Sequence, residues 1–248
     1  MKTICVIPSR YASNRLPGKS LAPIAGKPMV QWVYEQASKA KTIDKIIVAT
    51  DHEKIKSAVE SFSGEARMTD PDLPSGTDRV YAAIKNEEAE IIINLQGDEP
   101  FVSPKLLDDL VSAFSDDRIN IATPVCKIEK THDLLNPNVV KVVRDITGFA
   151  LLFSRSAIPF VREENNTQKW LLNNTFYKHI GIYVYRKSYL QKLVKLKESN
   201  LEKVEKLEQL RFLENGFKIY TLLTDYDSIG VDTAEDLKKV NEIAHKMI

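Results

Sequence analysis

Short apolar runs alternate with amphipathic stretches through the first half of the chain. Ile4 to Ile7 is apolar and is stopped by Pro8, Lys45 to Asp51 encloses Ile-Ile-Val-Ala between polar ends, and Ala89 to Leu95 carries Ile-Ile-Ile-Asn-Leu. Runs of this length, bounded by polar or chain-breaking residues, predict buried strands. A further run follows at residues 120–125, and residues 67–69 predict a short strand. Between the runs, residues 28–40, 52–62, 77–88 and 104–114 repeat their apolar positions at three- and four-residue spacing, which predicts helices. Pro28 and Pro104 open two of them, where a fixed φ suits the first turn, and Gly64 closes a third. Strand and helix in alternation predict a parallel sheet covered on both faces, with right-handed crossovers.

The pattern changes near Asn136. Val139 to Asp145 and Phe149 to Ser154 are rich in β-formers on either side of a turn, which predicts a hairpin. Residues 162–174 are polar and read as an exposed loop, and residues 176–185 alternate bulky side chains as one strand would. Residues 199–216 read as one long helix, with Ser199 and Glu202 as a capping box and Gly216 at its end. A strand over 217–223 and a terminal helix over 233–247, capped by Thr233, complete the chain. No internal repeat or low-complexity linker interrupts it, so the reading is one α/β domain with an antiparallel elaboration in its second half.

Composition narrows the function classes. At 248 residues, 43% hydrophobic and 28% charged, the chain is an ordinary globular one with room for a sizeable core. A net charge of +1 and the lack of a basic helix argue against nucleic acid as a partner. No apolar run approaches the ~20 residues of a membrane helix. A loop arginine by position 10 leaves no room for a signal peptide, and Cys5 and Cys126 each sit inside apolar runs as buried free thiols would. Both point to a cytoplasmic setting.

The charges are unevenly spread. Between Met1 and Tyr34 stand Lys2, Arg10, Arg15, Lys19 and Lys27 and no acidic residue, so the loop after the first strand is locally positive and suits a polyphosphate. No glycine-rich dinucleotide fingerprint follows that strand. Gly18-Lys19-Ser20 resembles the end of a P-loop, but Ser13 stands where that motif needs glycine. Arg10, Arg15, Lys19 and backbone amides would have to hold the phosphates. At the end of the third long strand, Gln96-Gly-Asp-Glu-Pro100 places Asp98 where open α/β sheets bind ligands. Asp98 suits a magnesium ion that bridges phosphate oxygens, and equally suits a helix cap. Asp232, in Gly230-Val-Asp-Thr, is either a second ligand to that metal or an N-cap beside Thr233. In the second half, Arg155 and His179 could bind an acidic substrate, although a lone histidine is more often structural.

With these residues assembled, the chain resembles the 3-deoxy-manno-octulosonate cytidylyltransferases, or CMP-Kdo synthetases. The resemblance runs nearly end to end, through IPSRYASNRLPGKSL (7–21), GKPM (26–29), IIVATDHE (46–53), SGTDR (75–79), NLQGDEP (94–100), NPNVVKVV (136–143), FSRSAIP (153–159), HIGIYVYR (179–186), LEQLR (207–211) and GVDTAEDL (230–237). It implies a Rossmann-like nucleotidyltransferase fold, a magnesium cofactor, a homodimer, and transfer of CMP from CTP to the anomeric hydroxyl of Kdo for lipopolysaccharide synthesis. Residues 1–130 would bind mainly nucleotide, 131–225 the sugar acid and the dimer partner, and 226–248 would supply a metal-ligand loop and a helix. By motif, Arg10, Arg15 and Lys19 would hold the triphosphate, and Ser75, Gly76, Thr77 and Gln96 the cytidine. Asp98 and Asp232 would bind magnesium, while Arg155, His179, Tyr183, Glu208 and Gln209 would face the sugar acid. Arg10, Lys19 and Asp98 are the expected catalytic groups. Ser9, where many relatives carry Ala, and Tyr226-Asp-Ser-Ile ahead of GVDT depart from the family pattern. An 8-amino analogue of Kdo, a sialic acid, or a silent CTP-binding module are the competing readings.

Overall fold

The computed structural model describes residues 1–12 and 16–246. The chain forms two compact units. The first comprises Met1–Ser112, Val184–Val194 and Ser228–Ile248, and the second Ala113–Tyr183 and Lys195–Asp227.

In the first unit the strand Thr3–Ser9 lies inside a parallel sheet. It pairs with Lys45–Thr50 on one side and Ile91–Asn94 on the other, and Ala66–Met68 pairs parallel beyond Lys45–Thr50. Ile4, Cys5, Val6 and Ile7 have no exposed surface, as the unbroken apolar run requires. Burial of each large aliphatic side chain contributes about 1.5–3 kcal/mol before the entropy of ordering is charged against it. The predicted helices form at Met29–Ala37, Glu53–Ser61, Gly76–Ile84, Pro104–Ser112 and Ala234–Ala244, each somewhat shorter than its apolar pattern. Ile24, Met29, Trp32, Val231, Val240 and Ala244 make one cluster, which docks the terminal helix on the first. Asn241 completes that joint, accepting from the Ala25 N–H and donating to the Pro23 carbonyl. A helix over Lys187–Leu193 was not expected from the sequence; Lys187 secures its start by donating its backbone N–H to the Glu90 carbonyl.

In the second unit Ile121–Lys127 pairs parallel with Tyr220–Leu223 and antiparallel with Tyr177–His179. Tyr177–His179 also pairs with Lys141–Arg144, which forms the expected hairpin with Ala150–Ser154. Gly148, at φ +93°, turns it in a conformation that a side chain would strain.

Three expectations are corrected here. The single strand over 176–185 is two, Tyr177–His179 and Tyr183–Arg186, interrupted where Thr123 Oγ1 bonds the Ile180 and Ile182 carbonyls. The exposed loop over 162–174 contains a 3-10 turn, Thr167–Lys169, and a helical turn, Trp170–Asn173. Trp170 anchors it by packing with Ile128, Leu134 and Phe176 and donating its Nε1–H to the Glu164 carbonyl. The long helix over 199–216 is broken into Asn200–Glu205 and Glu208–Glu214 by Lys206, which is left-handed at φ +52°. The break frees the Glu205 and Lys206 carbonyls, and Arg155 takes both. The capping boxes at Ser199 and Thr233 form as their spacing predicts.

Candidate active site

The basic loop is tied at its base and turned by one glycine. The Gly18 N–H bonds the Tyr11 carbonyl, and Gly18 itself adopts φ +66°, so the 3-10 turn Lys19–Leu21 can start directly after it. Lys19 then reaches two carboxylates. Its Nζ donates to Asp98 Oδ2 at 2.6 Å and to Asp232 Oδ1 at 3.1 Å. Burial works against the ammonium, but the charges and hydrogen bonds of Asp98 and Asp232 raise the Lys19 pKa above its ordinary value.

Backbone contacts bring those carboxylates together across 134 positions of sequence. The Asp98 carbonyl accepts the Val231 N–H at 3.0 Å, which seats the segment before Asp232 on the turn that carries Asp98. Neither aspartate is a helix cap. Thr233 caps the terminal helix with Asp236, and the helix after Pro100 begins only at Pro104, where Ser103 Oγ accepts from the Leu106 N–H. Lys19 thus bridges the two carboxylates as a cation they share.

Beside Lys19 and Asp98 lies a cavity of about 260 Å³, lined also by Arg10, Ser20, Gly76 and Gln96 among others. Arg10 Nη2 donates to the Leu73 carbonyl, which holds the guanidinium near the loop before Ser75. Ser75 caps the helix Gly76–Ile84, with its Oγ accepting from the Asp78 N–H, and Thr77 is buried in the first turn. Gln96 donates Nε2 to Asn94 Oδ1. Gly97 is closely set: a Cβ there would stand 3.0 Å from Ser9 Oγ and 3.2 Å from the Pro8 carbonyl oxygen. Ser9 Oγ is itself buried without a hydrogen-bond partner among the described residues. Arg15 lies outside the described residues.

Sequence reasoning missed the support beneath this loop. Arg79 is fully buried, and its Nη2 donates to Asp51 Oδ2 at 3.1 Å while Asp51 Oδ1 accepts the Tyr11 N–H at 3.0 Å. Burial, aided by the charge on Arg10, lowers the Arg79 pKa against the pull of Asp51. A buried arginine thus fixes the carboxylate that fixes the root of the loop. Nothing in the spacing of residues 51 and 79 signals that pairing; only their places in the two motifs IIVATDHE and SGTDR draw the eye.

The second unit carries the other expected set. Thr123 Oγ1 stands 3.1 and 2.8 Å from the carbonyls of Ile180 and Ile182 and 2.9 Å from His179 Nε2, and with its one proton given to a carbonyl it accepts from the Nε2–H tautomer of His179. The ring is closed in by Phe153 and Tyr183, and burial pushes its pKa down to about 3. It is a neutral imidazole at physiological pH. Arg155 lies within the same unit with three donors engaged: Nε on the Glu205 carbonyl, Nη1 on that of Pro137 and Nη2 on that of Lys206. Glu208 and Gln209 open the helix that follows the Lys206 break. Glu208 lies 3.7 Å from Arg211, and Gln209 is buried.

Comparisons with known proteins identify the family. A family model described as cytidylyltransferase matches residues 4–219. The chain belongs to the cytidylyltransferase family. It is 49% identical over 256 residues to the 3-deoxy-manno-octulosonate cytidylyltransferase of Thermodesulfovibrio yellowstonii, covering 100% of this chain and 98% of the relative. It is 46% identical to the enzyme of that name from Geobacter sulfurreducens, over 98% of this chain and 99% of the other. Among solved structures, a CMP:2-keto-3-deoxy-manno-octonic acid synthetase complexed with CTP superposes with a TM-score of 0.93 at 40% identity, covering 100% of both chains. A 4-diphosphocytidyl-2C-methyl-D-erythritol synthase from Anaerococcus prevotii, at 17% identity and a TM-score of 0.65 over 98% and 96% of the two chains, shares the fold. As a cytidylyltransferase the chain is a nucleotidyltransferase enzyme, and its mostly parallel α/β sheet is the family's.

Proposed function

We propose that this cytidylyltransferase transfers CMP from CTP to the anomeric hydroxyl of 3-deoxy-manno-octulosonate and releases pyrophosphate. The observation that carries the reading is the Lys19–Asp98–Asp232 triad, a cation held between two carboxylates, with Lys19 and Asp98 lining a cavity. Full-length relatives named for this reaction and a CTP-bound neighbour supply the substrate identities.

A magnesium ion fits the same pair. One ammonium already touches both carboxylates, so they stand close enough to share one cation. Magnesium takes one or two protein carboxylates and completes its shell with phosphate and water, and Asp98 and Asp232 could supply the protein's share. When bound, the ion would neutralise charge on the phosphoryl oxygens.

The side chains of the first unit do the rest by position and charge. Lys19 and Arg10 hold triphosphate oxygens while the sugar hydroxyl attacks the α-phosphorus and pyrophosphate departs. Gly97, where a Cβ would crowd Ser9 Oγ and the Pro8 carbonyl oxygen, keeps the turn that carries Asp98 packed against the strand Thr3–Ser9 beside the cavity. Ser75, Gly76, Thr77 and Gln96 line its cytidine side. In the second unit, Arg155 meets the sugar carboxylate through donors left over from its carbonyl contacts, and neutral His179, Tyr183, Glu208 and Gln209 take its hydroxyls. The exposed Leu151 and Leu152, consecutive on the outermost strand of its sheet, leave apolar surface on both faces of that strand, as a homodimer contact would need.

Pyrophosphate release with CTP, magnesium and Kdo tests the reading, run beside UTP, 8-amino-Kdo and N-acetylneuraminate. Release with CTP and Kdo is expected. Preference for the 8-amino sugar would keep the reaction and change the substrate, and CTP binding without release for any acceptor would overturn it.

A further inference from the structure

Lys141 is the most unusual cation of the second unit. Its side chain has no exposed surface, and among the described residues no carboxylate lies within ion-pairing reach. Its Nζ instead donates to three backbone carbonyls: Asn136 at 2.9 Å, Val139 at 2.6 Å and Arg155 at 2.5 Å. An ammonium has three N–H groups, so none remains for a substrate. Burial lowers its pKa, the charge on Arg155 adds to that, and Glu205 opposes it. A buried charge without a counter-ion is an expensive way to fill space that a methionine would fill. What it accomplishes is to fix three carbonyls from two separate segments at one point.

Those segments define where the Arg155 guanidinium stands. Lys141 holds the Arg155 main chain directly. It also grips the loop 136–139 on both sides of Pro137, whose carbonyl receives Arg155 Nη1 at 2.9 Å. The third anchor is Glu205. Its carboxylate accepts from Ser154 Oγ at 2.6 Å and from the Arg155 N–H at 2.9 Å, and its carbonyl accepts Arg155 Nε at 2.6 Å. Three residues later begins the helix that carries Glu208 and Gln209.

We propose that Lys141 is a positioning residue for the acidic-sugar subsite, setting the place of the Arg155 guanidinium relative to Glu208 and Gln209 without touching the substrate. The proposal rests on the reading of Arg155 as the partner of the sugar carboxylate. Its signature is selective. The nucleotide is held by residues of the first unit, so loss of Lys141 weakens the sugar acid alone.

The test compares full-length Lys141→Met, Lys141→Gln and Arg155→Met with the native enzyme. Initial rates of pyrophosphate release are measured with Kdo varied at saturating CTP and with CTP varied at saturating Kdo, and each variant is melted. Lys141→Met is expected to raise KM for Kdo roughly tenfold, as a misplaced binding group does, with KM for CTP within twofold of native. Lys141→Gln retains one donor path and is expected to fall between, and it replaces the methionine variant should that one fail to fold. An unchanged KM for Kdo in folded Lys141 variants, with a raised one in Arg155→Met, overturns the positioning role and leaves the sugar reading intact. So does a parallel rise in both KM values. An unchanged KM for Kdo in Arg155→Met removes the reading beneath the proposal, and the proposal with it.

Discussion

Replacing Lys19 with methionine keeps most of the length of the side chain and removes the ammonium that bonds Asp98 and Asp232. The ion pairs are at 2.6 and 3.1 Å, with Lys19 18% exposed, Asp98 28% and Asp232 45%. In bulk water such contacts would each be worth about 1–2 kcal/mol, and a partly buried pair gains more Coulomb energy but loses it again to desolvation. Because Asp232 is nearly half exposed, the net cost to stability is about 1–2 kcal/mol, a fall in melting temperature of a few degrees for a chain of this size. The cost to catalysis is larger. On the proposed function Lys19 faces the cavity where negative charge moves from the α-phosphorus to the departing pyrophosphate, and loss of one such preorganised charge should remove about 3 kcal/mol of transition-state stabilisation, or roughly a hundredfold in turnover.

The same substitution separates the two duties of the site. With the ammonium gone, the two carboxylates lose the cation they share, so the variant should be stabilised by added magnesium more than the native protein is. Melting curves at increasing magnesium, without nucleotide, read this independently of activity. Turnover within threefold of native at saturating CTP would refute the electrostatic argument for Lys19. A magnesium response no greater than that of the native protein would refute the shared-cation geometry.

Asp98→Asn should fold, because Asp98 caps no helix and its structural duty is the carbonyl that receives the Val231 N–H. It should lose most turnover, and near-native rates at saturating magnesium would sink the metal assignment. Ser9→Ala should raise stability by about 0.5–1 kcal/mol, since it deletes a buried hydroxyl that finds no partner among the described residues; a lower denaturation midpoint in urea would contradict that. For His179, burial sets the folded pKa at about 3 against 6.5 for the free side chain. The unfolded chain then takes up the proton first, so this stability is complete above pH 6.5 and is lost as pH falls. Between pH 6.5 and 5 the loss is about 2 kcal/mol. Urea melts of native protein and His179→Gln at the two pH values should show that increment only in the former.

Elements whose identity depends on near neighbours were legible. The run Ile4 to Ile7 has no polar position and became the fully buried strand of the parallel sheet, and the Thr233–Asp236 spacing became a capping box. Breaks imposed from a distance were not. Nothing between Ser199 and Gly216 forbids a continuous helix, and Lys206 pays a left-handed conformation because Arg155, some fifty positions earlier, takes the carbonyls on either side of the break. Residues 176–185 divide for a similar reason, since the Thr123 hydroxyl captures two carbonyls that a single strand would have given to its neighbours.

The site divides along the same line. Asp98 and Asp232 each admitted a capping role in the sequence, and what excludes it is the identity of the actual caps, Ser103 and Thr233, together with one backbone bond from Val231 to Asp98. Charge patterning could pick out the basic loop because its cations are local and unopposed. It could not rank Arg79 or Lys141, whose burial removes them from any surface pattern and whose partners are backbone carbonyls or a carboxylate elsewhere in the chain. A cation that serves a ligand and a cation that serves the backbone look alike in sequence. They differ in how many of their donors are already spent: Lys141 has spent all three, Arg155 three of five, and Lys19 is committed only to carboxylates that a metal could take from it. That ordering is the one in which their variants should affect substrate: Lys19 through turnover, Arg155 through direct hold on the sugar acid, and Lys141 through Arg155 alone.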